Sequence, residues 1–204
     1  EKIKALKGLT VGVTNPGALT AHLAAFVIRK AGYVPQQDVN IIPIGAGPTW
    51  LAALENRKVD VALTAPPVPE TAISRGFAMM LINNAKGEDP SIPEFLMENL
   101  VARPETVEKE PDLVRRVVRA LTKANKWALQ SNPEEVAAAL KPFMDKTPPD
   151  LLLGGAAAVL PALSPDGRVS ERAVQVTQDV LEQAGILKKR VPYTEIVTNN
   201  FLAK

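Results

Sequence analysis

Leu9-Thr10-Val11-Gly12-Val13-Thr14-Asn15-Pro16-Gly17-Ala18-Leu19-Thr20-Ala21-His22-Leu23 is the stretch on which the fold turns. Thr10–Thr14 reads as a short buried strand, Asn15-Pro16-Gly17 as a turn, and Ala18 onward is apolar at helical spacing. A strand, a tight turn and a helix in that order place a helix N-terminus beyond the strand's C-terminal edge. The free N–H groups of the first helical turn then face whatever lies there. Helix ends of this kind hold anions and small polar ligands, but they also occur in α/β folds for structural reasons alone.

The unit repeats downstream. The first helix is expected to run to about Lys30, with Gly32 at its C-terminal cap. Val39–Ile44 reads as a second strand, and Gly45-Ala46-Gly47-Pro48-Thr49 opens a second helix, with Pro48 suited to its first turn. Val59–Thr64 reads as a third strand, Ala65-Pro66-Pro67-Val68-Pro69 opens a third helix ending near Arg75-Gly76, and Phe77–Ile82 reads as a fourth strand. Strands alternating with helices predict a parallel sheet with helices on both faces, and the helix N-termini collect at the C-terminal edge, where open α/β sheets bind ligands. The polar stretch Asn83–Pro93 reads as a loop and boundary, and Asn99–Ala102 as another strand-like run.

From Glu110 the pattern is helical. Leu113, Val117, Leu121, Ala124 and Ala128 share one face, with Val114 and Val118 beside them. Arg115, Arg119 and Lys126, flanked by Arg116 and Lys123, share the opposite face, which reads as a solvated stripe. Asn132-Pro133-Glu134-Glu135 is a helix start with Asn as cap, and Thr147-Pro148-Pro149-Asp150 repeats the pattern. Ser170 is expected to cap a helix through Ala184, closed by Gly185-Ile186-Leu187, with Val191–Leu202 a short helix or tail.

The chain has 204 residues, 46% of them hydrophobic and 23% charged, with net charge +2. This is a globular composition too near neutral for a nucleic-acid binder. The longest apolar run, Leu151–Leu163, is broken by Gly154, Gly155 and Pro161 and is shorter than the roughly 20 residues a membrane span needs. No cysteine is present and His22 is the single histidine, so neither a Cys-based metal site nor a Ser-His or Cys-His dyad is available. Gly45-Ala46-Gly47 begins like a dinucleotide fingerprint, but Trp50 stands where the third glycine belongs. Paired acids such as Glu134-Glu135 lie at helix starts, where capping and the helix dipole account for them.

What remains is a set of turns that can bind but has no evident chemistry. The candidate ligand-binding residues are Asn15, Gly17, Ala18, Leu19 and Thr20 in the first turn, Gly45, Gly47, Thr49 and Trp50 in the second, and Thr64, Ala65 and Pro66 in the third. They offer backbone and hydroxyl donors for a carboxylate or sulfonate and one indole for an apolar body, although Trp50 equally suits helix-to-sheet packing. Glu70 would oppose an anion at the third turn, which favours the first two. No catalytic residue, metal or cofactor is expected.

The ordered set LKGLTVGVTNPGALT, IIPIGAGPTWLAALENRKVDVALTAPP, LVARPETVEKEPDLVRRVVRALTKANKWALQSNPEE and DGRVSERAVQVTQDVLEQAGILKKRVPYTEIV resembles the extracytoplasmic solute-binding proteins of ABC transporters, in their sulfonate/nitrate/taurine/thiamine-precursor branch. The resemblance implies a type II periplasmic-binding-protein fold, with two α/β lobes holding a solute in the cleft between them. It implies a three-layer αβα lobe over residues 1–93, followed by a crossover strand and C-terminal helices over 94–204 that would pack on a first lobe. Members carry about 100 residues ahead of the LKG segment, consistent with usual lobe sizes. The chain, which starts at Glu1-Lys2-Ile3 without Met or a visible signal peptide, is therefore expected to be processed or truncated. The implied partners are a small solute and a membrane permease, and the implied location is periplasmic or extracytoplasmic.

Two departures bear on the site. The family often places hydroxyls after the turn glycine, whereas here only Thr20 keeps one. Arg57 stands where the family usually has glycine, before Asp60. A ligand-sensing domain of a regulatory protein is the alternative reading. A thiamine-pyrimidine-synthase-like enzyme is another, disfavoured because its cysteine-rich motif and its active-site histidine and lysine constellation have no counterpart here.

Overall fold

A computed structural model describes residues 2–202. The chain alternates β1 (Thr10–Val13), α1 (Leu19–Lys30), β2 (Asn40–Pro43), α2 (Pro48–Glu55), β3 (Val61–Ala62) and α3 (Val68–Ser74). It then becomes helical through α4 (Pro104–Lys109), α5 (Pro111–Gln130), α6 (Pro133–Leu140), α7 (Pro149–Val159), α8 (Glu171–Gln183) and α9 (Tyr193–Ile196).

The strands form a parallel sheet in the order β2-β1-β3. Val11 lies opposite Ile41 on one side and Val61 on the other. Asp60 locks the register at the start of β3: its carboxylate accepts the Thr10 N–H at 2.8 Å while its own N–H donates to the Thr10 carbonyl at 2.9 Å. The connection β1–α1–β2 moves outward to one side and β2–α2–β3 moves back across β1. Right-handed crossovers therefore place α1 and α2 on opposite faces of the sheet. This is the mixed α/β architecture expected from the alternation.

Side-chain alternation along β1 builds both layers. Val11 and Val13 pack with Ala21, Ala24 and Ile28 of α1, and with Leu6 and Val39, in a core where Ile28 is fully buried. Removing each such aliphatic side chain from water is worth about 1.5–3 kcal/mol. Gly12 faces the other way, and a Cβ there would lie 2.5 Å from Ile44 Cδ1 and 3.2 Å from Val59 Cγ1. Glycine at this position lets the second layer close on the sheet.

Two expected strands are absent among the described residues. Phe77–Ile82 is irregular: Leu81 packs on the core, yet its carbonyl accepts a hydrogen bond from Lys2 Nζ at 3.0 Å rather than from a strand, and Met79 is exposed. Asn99–Ala102 is also irregular, with Leu100 and Val101 exposed. Neither segment joins the sheet of β1, β2 and β3, and β propensity forms no ladder without a partner.

The helical half divides its packing. α6 and α7 form a hairpin around Val136, Ala137, Leu152 and Ala156. α8 returns to α1, where Val180 joins Leu23 and Phe26 and Arg29 Nη1 donates to the Ala184 carbonyl at 2.8 Å. By packing, α8 therefore belongs with the α/β half. α5 buries only Val114, and Leu113, Val117 and Leu121 of its apolar stripe stay exposed.

Candidate functional site

Three turns follow the three strands at the C-terminal edge of the sheet. In the first, the Asn15 side chain accepts the Gly17 N–H at 3.1 Å, and the Ala18 N–H donates to the Asn15 carbonyl at 3.1 Å. α1 begins from Ala18 with no side-chain cap. The N–H groups of Leu19 and Thr20 have no acceptor among the described residues, so the helix start keeps its donors. The Thr20 hydroxyl is not free for a ligand. It accepts the Thr14 N–H at 3.0 Å and donates to Thr14 Oγ1 at 3.1 Å. It stitches the helix to the strand end, so polar recognition here falls to the backbone. Thr14, which the sequence reading left inside the strand, keeps a hydroxyl proton to donate, and its position as the last residue before the turn is the signal that could have found it.

In the second turn Gly45 and Gly47 both have positive φ, at 79° and 61°. Thr49 Oγ1 donates to the Ala46 carbonyl at 2.9 Å, and a Cβ on Gly45 would lie 2.8 Å from that oxygen. Only glycine fits this turn. The Thr49 N–H has no acceptor among the described residues. Trp50 is 6% exposed, so its indole is packed inside the protein rather than presented at the edge. Its Nε1 is buried without a hydrogen-bond partner among the described residues.

The third turn differs in kind. Thr64 and Ala65 lead into Pro66, Pro67 and α3. Here α7 lies over the edge: a Cβ on Gly155 would stand 3.6 Å from Pro67 Cβ and 3.9 Å from Pro66 Cβ, and one on Gly154 would stand 3.5 Å from Glu70 Cβ and Cγ. Glu70 Oε2 is buried without a hydrogen-bond partner among the described residues.

The strand order decides which turns face each other. In an open sheet the binding crevice forms where neighbouring strands send their connections in opposite directions. β1 leads through α1 to β2 on one side, and β3 lies on the other side of β1, so the first turn stands between the second and the third along the sheet edge. His22 lies in a groove of about 210 Å³ that runs beside the first turn, where Val13 and Pro16 line it together with α1, β2 and the residues after α8. Among the described residues no group of acidic or histidine side chains could hold a metal ion.

A family model described as the NMT1-like family matches residues 1–141. Over 201 residues the chain is 20% identical to the Bacillus subtilis (strain 168) protein named "Putative binding protein YtlA", covering 98% of this chain and 59% of that protein. A solved structure of a protein from Bordetella bronchiseptica RB50 has the same fold, with a TM-score of 0.81 at 23% identity over 97% of this chain and 63% of that one. The chain thus spans about three fifths of the length of the relatives it matches.

Proposed function

The chain belongs to the NMT1-like family, and from that premise we propose that it is the solute-binding component of an ABC importer. It binds a small organic solute, anionic or aromatic, without chemistry, and delivers it to a membrane permease from the extracytoplasmic side. The observation that carries the reading is the start of α1 at the sheet's C-terminal edge, where the Leu19 and Thr20 N–H groups have no acceptor among the described residues. Backbone donors of this kind suit a carboxylate or sulfonate. The resemblance to one matched relative, itself named a binding protein, supports the same reading.

The proposed architecture has two lobes, with residues 1–93 forming one wall of the cleft. The exposed apolar stripe of α5 then serves as a face for the other lobe. No described helix is long and apolar enough to cross a membrane. Thermal-shift and calorimetric screening against small carboxylates, sulfonates and pyrimidines tests the proposal. Stabilisation by at least one class, abolished when Gly17 is replaced by a bulky residue, is the expected result. A screen in which no such compound binds overturns it.

A further inference from the structure

α5 is the longest helix among the described residues, yet Val114 is the only residue it buries. Its second half is tied to the α6–α7 hairpin, where Ala128 packs on the cluster around Val136 and Leu152. Its first half turns Leu113, Val117 and Leu121 outward and so has little buried surface to fix its place. What meets that half is the segment that follows α8. The Phe201 ring centre lies 6.0 Å from the Arg115 guanidinium carbon. A Cβ on Gly167 would lie 3.3 Å from Leu202 Cδ2 and 3.7 Å from Thr122 Oγ1, so the turn before α8 touches this segment and α5 together.

The segment reaches this point by running back along α8. Arg190 pairs with Asp179 and Glu182 near the C-terminal end of the helix. One residue on, the Gln178 amide clasps the backbone of Val191. Its Oε1 accepts the Val191 N–H at 2.7 Å, and its Nε2 donates to the Val191 carbonyl at 3.1 Å. At the other end of α8 the roles reverse. Asn199 clasps Val169, with Oδ1 accepting the Val169 N–H at 3.2 Å and Nδ2 donating to the Val169 carbonyl at 3.0 Å. The Tyr193 hydroxyl donates to the same carbonyl at 2.9 Å and accepts from Asn199 Nδ2 at 2.8 Å.

A side-chain amide that bonds both the N–H and the C=O of one residue acts as a neighbouring strand would. The clasp needs a donor and an acceptor side by side in one plane, which Asn and Gln provide. Two clasps of opposite direction fix the segment at Val191 and Asn199, and the residues just beyond the second clasp are those beside α5. α8 is itself anchored on α1, through Val180 against Leu23 and Phe26. The segment therefore joins the α/β half to the first half of α5.

We propose that residues 190–202 form a strap that positions α5, so that the Gln178 and Asn199 clasps set where its outward apolar stripe stands. The inference goes beyond the solute-binding reading and holds for the chain with or without a ligand. With the strap latched, the stripe is one fixed surface. With the strap released, the first half of α5 loses its tie to α8 and opens locally.

Amide hydrogen exchange of the full chain, read by mass spectrometry, tests the proposal in two variants. Gln178→Met/Asn199→Leu removes both clasps with little change in side-chain volume. Phe201→Ala/Leu202→Ala keeps the clasps and removes the contact with α5. In both variants residues 116–122 are expected to exchange about tenfold faster or more, while α1 and α7 keep their wild-type rates. The Val169 and Val191 amides are expected to exchange faster in the clasp variant alone. Wild-type exchange of residues 116–122 in either variant shows that α5 stands without the strap and overturns the proposal. Equal acceleration of α1 and α7 shows general destabilisation and overturns it as well. Where the clasp variant does not fold, Phe201→Ala/Leu202→Ala alone decides by the same two readings.

Discussion

Arg57 shows how one residue can carry strain that the fold tolerates. It follows α2 with φ of +53°, its N–H donates to the Leu54 carbonyl at 3.0 Å, and the next N–H, of Lys58, donates to the Ala53 carbonyl at 2.8 Å. These are the two bonds of a Schellman closure, whose left-handed residue is usually glycine. Gly32, Gly76 and Gly185 fill the same place after α1, α3 and α8, each with positive φ. A left-handed L-residue costs about 1–2 kcal/mol, part of which glycine returns through the larger entropy of its unfolded chain. Arg57→Gly is therefore expected to stabilise the protein by about 0.5–1 kcal/mol, read from the denaturant midpoint at unchanged m-value. The sequence marked Arg57 as a departure, and the structure shows which backbone angle the departure has to adopt.

At the scale of elements, local chemistry marks the helix ends. Asn132 accepts the Glu135 N–H at 2.9 Å while Glu135 accepts the Asn132 N–H, completing a capping box. Ser170 accepts the Ala173 N–H at 2.9 Å at the start of α8, and the Ile186 N–H returns to the Leu181 carbonyl at its end. These caps were legible because each lies within a few residues of its partner. The analogous motif at Thr147 was displaced: α7 starts from Pro148 with no side-chain cap. Asn132→Ala is expected to cost about 1 kcal/mol, with Asn132→Asp retaining most of it, measured by denaturant unfolding of the three proteins. Strands were less legible. Phe77–Ile82 and Asn99–Ala102 have suitable residues but no ladder, since a strand depends on a neighbour elsewhere in the chain.

For the whole molecule, two contacts link loop and lobe: Ile92 packs with Leu23 and Phe26, and the buried Asp89 pairs with Lys30. Asp89 is 7% exposed and accepts from Lys30 Nζ at 2.7 Å, from the Ser91 N–H at 3.0 Å and from Ser91 Oγ at 2.6 Å. The pair ties the 83–93 loop to the C-terminal end of α1. Burial pushes the Asp89 carboxyl up, but the hydrogen bonds from Lys30 and Ser91 and the charge of Lys30 outweigh it and hold the carboxyl below its ordinary value. The unfolded state then binds the proton first as pH falls. The contribution is complete above the ordinary carboxylate range near pH 4 and is lost as pH drops through the lowered folded value. Asp89→Asn is expected to remove that share of the acid dependence, giving a flatter Tm profile below about pH 4. Asp89→Ala is expected to cost about 2 kcal/mol at neutral pH, less than a fully buried pair would, because Lys30 keeps 31% of its side-chain exposure.

By itself the sequence determined what depends on neighbours along the chain. Turn glycines, capping residues, helix periodicity and the alternation of strands and helices all act within a few residues, and they were enough to predict a parallel α/β lobe with a candidate binding edge. Tertiary structure decided what depends on distant groups meeting. It set the strand order β2-β1-β3, and it buried the Trp50 indole that the sequence left between ligand and core. It also turned the Thr20 hydroxyl inward onto Thr14, and it brought a glycine face of α7 over Glu70, whose capping partner is a proline. Hydrogen-bond satisfaction is a property of the assembled fold, so no local pattern could show that Glu70 Oε2 would be buried without a donor among the described residues.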